Sequence, residues 1–140
     1  VRHPGAAAVL AVLADGRILL EKQYRYALGT VMYEIPAGKL DPGEEPERCA
    51  RRELAEETGY EADRWEYLTA IATTPGFTDE VIHLYKATGL HQHGQHLDKD
   101  ETLKLEAFTM EEIRAAVRDG CLYDAKSLAA LGAASLLGRL

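Results

Sequence analysis

Residues 6–13 read AAAVLAVL, a run with no polar side chain and no alternation. A strand covered on one face alternates apolar and polar residues, whereas a strand covered on both faces does not. The run therefore predicts a strand inside the molecule. Asp15-Gly16 follows, a dipeptide suited to a two-residue hairpin turn, so residues 17–25 (RILLEKQYR) are read as the returning strand. VMYEI, residues 31–35, is a third strand that Pro36 stops. Residues 36–43 hold two prolines and two glycines and are read as a shaped loop.

A helix is predicted from Pro46, a good first-turn position for proline, to just before Gly59, where glycine ends a last turn. Residues 65–73 and 80–88 read as strands around a Thr74-Pro75-Gly76 turn, and residues 89–102 as a polar loop. A short strand at 104–109, a helix of sequence MEEIRAAVRDG and a final helix capped by Asp124 complete the chain. No repeat, low-complexity segment or linker interrupts the 140 residues, which fit one α/β or α+β sandwich domain.

The net charge of −7 argues against general binding to nucleic acid or to anionic membranes. An anionic substrate would need local cations or a bound metal to offset that charge. Two cysteines, Cys49 and Cys121, with no Cys-x-x-Cys give no disulfide framework and point to a reducing, cytoplasmic setting. No apolar run approaches the ~20 residues of a membrane span, and no signal peptide is visible.

The predicted helix 46–58 carries the sharpest chemical signal. Glu53, Glu56 and Glu57 stand at i, i+3 and i+4 and share one face. Glu56 and Glu57 fall in the last turn, where the helix dipole disfavours anions. Arg52 can offset Glu56, and Arg48 flanks the same face. A hard divalent cation, Mg²⁺ or Mn²⁺, would resolve the remaining repulsion, because clustered carboxylates are oxygen ligands. A solvated charged helix is the other reading of the same face.

The spacing from Gly38 through Glu44 to Arg52-Glu53-Leu54-x-Glu56-Glu57-x-Gly59 resembles the signature of the Nudix hydrolases. Its fixed polar and glycine positions are met, and Tyr60 departs from the aliphatic residue usual there. The resemblance implies an α/β/α sandwich with a mixed β-sheet and metal-dependent hydrolysis of a nucleoside diphosphate linked to another group. By that motif, Glu53, Glu56 and Glu57 with the Ala37 carbonyl would hold the metal. Glu56 and Glu57 would serve the reaction directly, Arg52 would orient the glutamates, and Gly38, Glu44 and Gly59 would be structural.

PGFTDE (residues 75–80), EKQYR, YEIPAGKL and LYDAKS resemble the ADP-ribose pyrophosphatase branch. That likeness implies Mg²⁺-dependent hydrolysis of ADP-ribose to AMP and ribose 5-phosphate by a cytoplasmic homodimer. Arg25 would contact phosphate, Glu34 would bind ribose hydroxyls or balance charge, and Gly76 and Phe77 would shape the terminal-ribose side. Glu80 would support them or simply start its strand. The water-activating base would come from LDKDET, Glu101 first and Asp100 next, with Asp98 also in the segment. The branch's N-terminal arm is expected to be short, absent or upstream of Val1. Alternatives are another nucleoside diphosphate derivative, a nucleoside triphosphate, or a silent ligand-binding module. The complete carboxylate set speaks against a silent module. HQHGQH (His91, His93, His96) lacks helix-face spacing and a cysteine partner and is read as loop. His3, His83 and Trp65 are read as structural.

Overall fold

The computed structural model describes residues 2–92 and 104–140. The run at 6–13 forms β1 (Ala6–Ala11), and all six of its residues are buried. Successive side chains of a strand point to opposite faces. Ala6, Ala8 and Leu10 accordingly enter one apolar cluster, while Ala7, Val9 and Ala11 enter another. One strand thus supplies the middle layer of two cores.

A four-stranded mixed sheet is built around it, in the order β4-β1-β6-β5. β1 runs parallel to β6 (Val81–Gln92) and antiparallel to β4 (Ala37–Lys39). β5 (Tyr60–Ala72) closes the edge against β6, with an irregularity between Tyr67 and Thr69. A second, antiparallel sheet holds β3 (Thr30–Glu34), β2 (Ile18–Arg25) and β7 (Leu105–Phe108). Helix α1 (Pro46–Thr58) covers one face of β1 through Cys49, Ala50 and Leu54. Helices α2 (Met110–Arg118) and α3 (Ala125–Leu136) cover the other through Ile113, Ala130, Leu131 and Ala134. The α/β/α layering expected from the sequence is the one observed.

Three local expectations are corrected. Asp15-Gly16 does turn the chain, but β1 and β2 do not form a hairpin ladder. They meet only at an isolated Val12–Ile18 bridge and then separate into different sheets. The core requires β1 to pair with β4 and β6 instead. The loop predicted at 36–43 contains β4, because Ala37 to Lys39 pair with Ala8 to Ala6. β6 continues through Gln92, so His91 lies on a strand, where its ring meets Asp63 at 3.1 Å; His93 and His96 lie outside the described residues.

Capping reads directly from the sequence. Thr109 and Glu112 form a reciprocal capping box on α2. Asp124 accepts from the backbone N–H of Ser127 at 3.0 Å on α3. Ser127 Oγ in turn accepts from the Ile35 N–H at 2.9 Å, which pins the end of β3 to α3. No helix of the described residues is long and apolar enough to cross a membrane.

Candidate metal centre and active cleft

Burial of Cys49, Ala50 and Leu54 fixes the rotation of α1 about its axis. That rotation turns Glu53 and Glu57 toward β4. The Ala37 N–H donates to Glu57 Oε1 at 3.3 Å. A Cβ on Gly38 would stand 2.1 Å from Glu53 Cδ, so the close approach of strand and carboxylate requires glycine at this position. Gly59, at φ 75°, closes the helix behind the cluster, with its N–H donating to Ala55 O.

Arg52 holds the entry to the cluster. Its Nε and Nη2 each lie 2.9 Å from a Glu44 carboxylate oxygen, a two-pronged pair. Nη1 donates to Glu53 Oε1 at 2.7 Å and reaches Glu56 Oε2 at 3.4 Å. The guanidinium hydrogen bonds, with that from the Asp41 N–H, pull the Glu44 carboxyl down to about 2. The structure thus brings Glu44, Arg52 and Glu53 together. Arg52 chiefly serves Glu44 and Glu53; Glu56 stays exposed at the rim.

Glu57 has no such partner. Burial first, and then the adjoining carboxyls of Glu21 and Glu53, push its pKa up to about 11. The proton held by Glu57 is what lets three carboxyl groups share this space. Glu21, on β2, is 6% exposed, and its Oε2 is the one buried side-chain nitrogen or oxygen without a hydrogen-bond partner among the described residues. Its contact with Glu57 brings together two acceptors, so it is a hydrogen bond only while a proton lies between them.

A cavity of about 560 Å³ opens on this cluster, lined by Glu21, Glu56, Glu57, Lys22 and Lys104 with Tyr24 and Tyr26 among its other walls. The sequence reading had not selected Glu21, Lys22, Tyr24, Tyr26 or Lys104. A charged residue ending the apolar run Ile18-Leu19-Leu20 was the available signal for Glu21. Nothing local marked the others, because the β2–β7 pairing brings them together.

Glu34 and Arg25 form a separate network. Arg25 grips Glu34 with two 2.6 Å hydrogen bonds, and Lys126 Nζ adds a third at 2.5 Å. Burial raises the pKa of Glu34, yet the two cations outweigh it and the net shift is downward. At 2% exposure, the Glu34 carboxylate is taken up by Arg25 and Lys126. Lys126 and Asp124 explain the LYDAKS motif structurally: they seat α3 on the end of β3. Gly76 and Phe77 line a different, open cleft of about 590 Å³ with Arg2 and residues 78–81. Glu80 braces that turn through Thr73 Oγ1 at 2.5 Å and His3 Nε2 at 3.0 Å. Asp98, Asp100 and Glu101 lie outside the described residues.

The donor set fits a hard divalent cation. It offers only oxygen ligands, one buried acceptor lacks a donor, and removal of the Glu57 proton would leave uncompensated negative charge that a cation can neutralise. No three His, Cys, Asp or Glu side chains among the described residues are already arranged around an ion. The carboxyls meet pairwise through Glu57, and a cation would draw them into one shell.

The NUDIX domain family model matches residues 1–131. The chain is 46% identical over 133 residues to the ADP-ribose pyrophosphatase of Bacillus subtilis (strain 168), a match covering 94% of this chain and 72% of that one. It is equally 46% identical, with the same coverage, to the methanol dehydrogenase activator of Bacillus methanolicus. In fold it is similar to a solved ADP compounds hydrolase, with a TM-score of 0.82 at 21% identity over 97% of this chain and 75% of that one.

Two outcomes follow from this geometry. Gly38→Ala should leave the far-UV circular dichroism unchanged, because the obstructing atoms belong to the far end of a flexible side chain. It should nonetheless displace Glu53 and weaken Mg²⁺ binding, read by calorimetric titration. The second outcome concerns pH. A carboxyl whose pKa rises on folding contributes stability that is fully present below the unfolded value and lost as pH rises toward the folded one. Metal-free protein in EDTA should therefore lose urea stability between pH 5 and 9, by at most about 1.4 kcal/mol per pH unit for one proton. Glu57→Gln should flatten that slope.

Proposed function

The chain belongs to the NUDIX family, and we propose that it hydrolyses the diphosphate of ADP-ribose, with Mg²⁺ as its cofactor and Mn²⁺ as a substitute, to give AMP and ribose 5-phosphate. The observation that carries the chemistry is the half-buried Glu57 carboxyl beside Glu53 and Glu21, opening on a cavity with lysines in its wall. The substrate rests on the likeness to ADP-ribose pyrophosphatases and on the branch motifs.

Glu53, Glu57 and the Ala37 carbonyl would hold the cation, with Glu56 at the rim to share it or to hold the attacking water. When bound, the cation neutralises diphosphate oxygens and makes a coordinated water more acidic. Arg52 keeps Glu53 in place through its 2.7 Å hydrogen bond. Lys22 and Lys104 supply positive charge at the cavity wall, where a diphosphate would enter a chain of net charge −7. Arg25 would meet a phosphate with the N–H groups that Glu34 leaves available. Glu101, with Asp100 second, is the proposed acceptor of the water's proton. Gly76 and Phe77 line a separate cleft and do not border this cavity. The same reading extends to a homodimer, for which exposed Tyr24, Tyr26, Leu28 and Val31 around the β2–β3 hairpin provide apolar surface.

Incubation with ADP-ribose and Mg²⁺ should yield AMP and ribose 5-phosphate in equal amounts, and EDTA should abolish both. Glu57→Gln should reduce turnover on the order of 100-fold or more while leaving the fold intact. Absence of hydrolysis with metal present, or wild-type turnover in that variant, would refute the reading.

A further inference from the structure

Glu21 is a buried carboxylate to which the family motif gives no role. It sits on β2, outside the Gly38–Gly59 signature, and on the opposite wall of the cleft from α1. Gln23 Nε2 donates to its Oε1 at 2.7 Å, which fixes the carboxylate plane. Oε2 is buried and has no hydrogen-bond partner, and Glu21 lines the same cavity as Glu57. A buried charged acceptor without a partner is strongly unfavourable, and such a group calls for an explanation.

The surrounding protein offers no compensation. Directly across the sheet, Glu21 faces another carboxylate, Glu34, and like charges in register repel. Arg25 is near enough to respond to the charge of Glu21, but it directs its fork at Glu34. Lys126 also bonds Glu34. Two cations thus stand close by and are committed elsewhere, while the buried Glu21 Oε2 remains without a partner. A nucleotide phosphate would be repelled here, and a hydroxyl donor would satisfy Oε2 without neutralising the carboxylate. A cation does both.

We propose that Glu21 is an additional ligand of the divalent cation, binding it through Oε2 and linking β2 of the three-stranded sheet to Glu57 of α1. The proposal rests on the reading of the cleft as a cation site and is independent of which nucleotide is cleaved. It assigns the ion a second task, which is to join the two sheets across the cleft. Binding should therefore stiffen the β2 wall, where Lys22, Tyr24 and Tyr26 meet the cavity.

The test is a titration of Mn²⁺ alone into the full-length, nucleotide-free chain, followed by calorimetry and by the electron paramagnetic resonance of free Mn²⁺. Melting temperatures are measured in EDTA and in saturating Mn²⁺. Glu21→Gln keeps the side-chain shape and removes the charge. It should weaken Mn²⁺ binding about 10-fold or more, raise the melting temperature in EDTA, and shrink the increment that Mn²⁺ adds. Glu21→Asp, with its carboxylate retracted by one methylene, should bind with intermediate affinity. Unchanged Mn²⁺ affinity in Glu21→Gln, beside a wild type that binds, would overturn the role of Glu21 and leave the cation site standing. A lower melting temperature in EDTA would mark Glu21 as structural and would also overturn it. A wild type that takes up no Mn²⁺ would overturn the cation site and this proposal together.

Discussion

The half-buried carboxyl of Glu57 meets two others, and the cleft is organised around that contact. Three carboxylates cannot share such a space fully ionised, because burial and mutual repulsion both oppose the charge. Either a proton or a metal ion must stand between them. None of the ion pairs among the described residues reaches Glu57 or Glu21. Arg52 is tied to Glu44 and Glu53 on one flank, and Arg25 and Lys126 to Glu34 on the other. The centre is left electrically incomplete, and its donors are all oxygen.

The fold exists to hold that arrangement still. β1, buried on both faces, is the common partner of both apolar clusters. It sets β4 on one side, and β4 sets Ala37 and Gly38 against the glutamates of α1. Packing of Leu54 and Ala50 on β1 fixes which face of α1 looks inward. β2 belongs to the other sheet, so Glu21 reaches the same point from an element that β1 does not pair with. The cleft lies where the two sheets part, and a ligand bound there touches both.

Much of this was legible in the sequence because the signals were local. The unalternating run at 6–13, the proline and glycine at the two ends of α1, and Asp124 at the cap of α3 each act within a few residues. The box spacing marked Glu53, Glu57, Glu44 and Arg52, and the structure brings them together. What escaped depends on contacts distant in sequence. Glu21 meets Glu57 across 36 positions, as their numbers show, and Lys126 meets Glu34 across 92. The Asp15-Gly16 turn misled for the same reason: a turn signal cannot say that the strand before it is needed elsewhere in the sheet. Gly76 and Phe77 belong to a separate cleft, a separation that their sequence distance from the box does not encode.

The central claim is that the acidic cleft is a cation site, and anomalous diffraction from crystals grown with Mn²⁺ tests it most directly. The account predicts an anomalous peak between β4 and α1, within about 2.0–2.3 Å of carboxylate oxygens from Glu53 and Glu57, with the ion in place of the direct contact between the Glu57 and Glu21 carboxyls. A cleft with no peak, in which Glu57 still rests against Glu21 and Glu53, would contradict it.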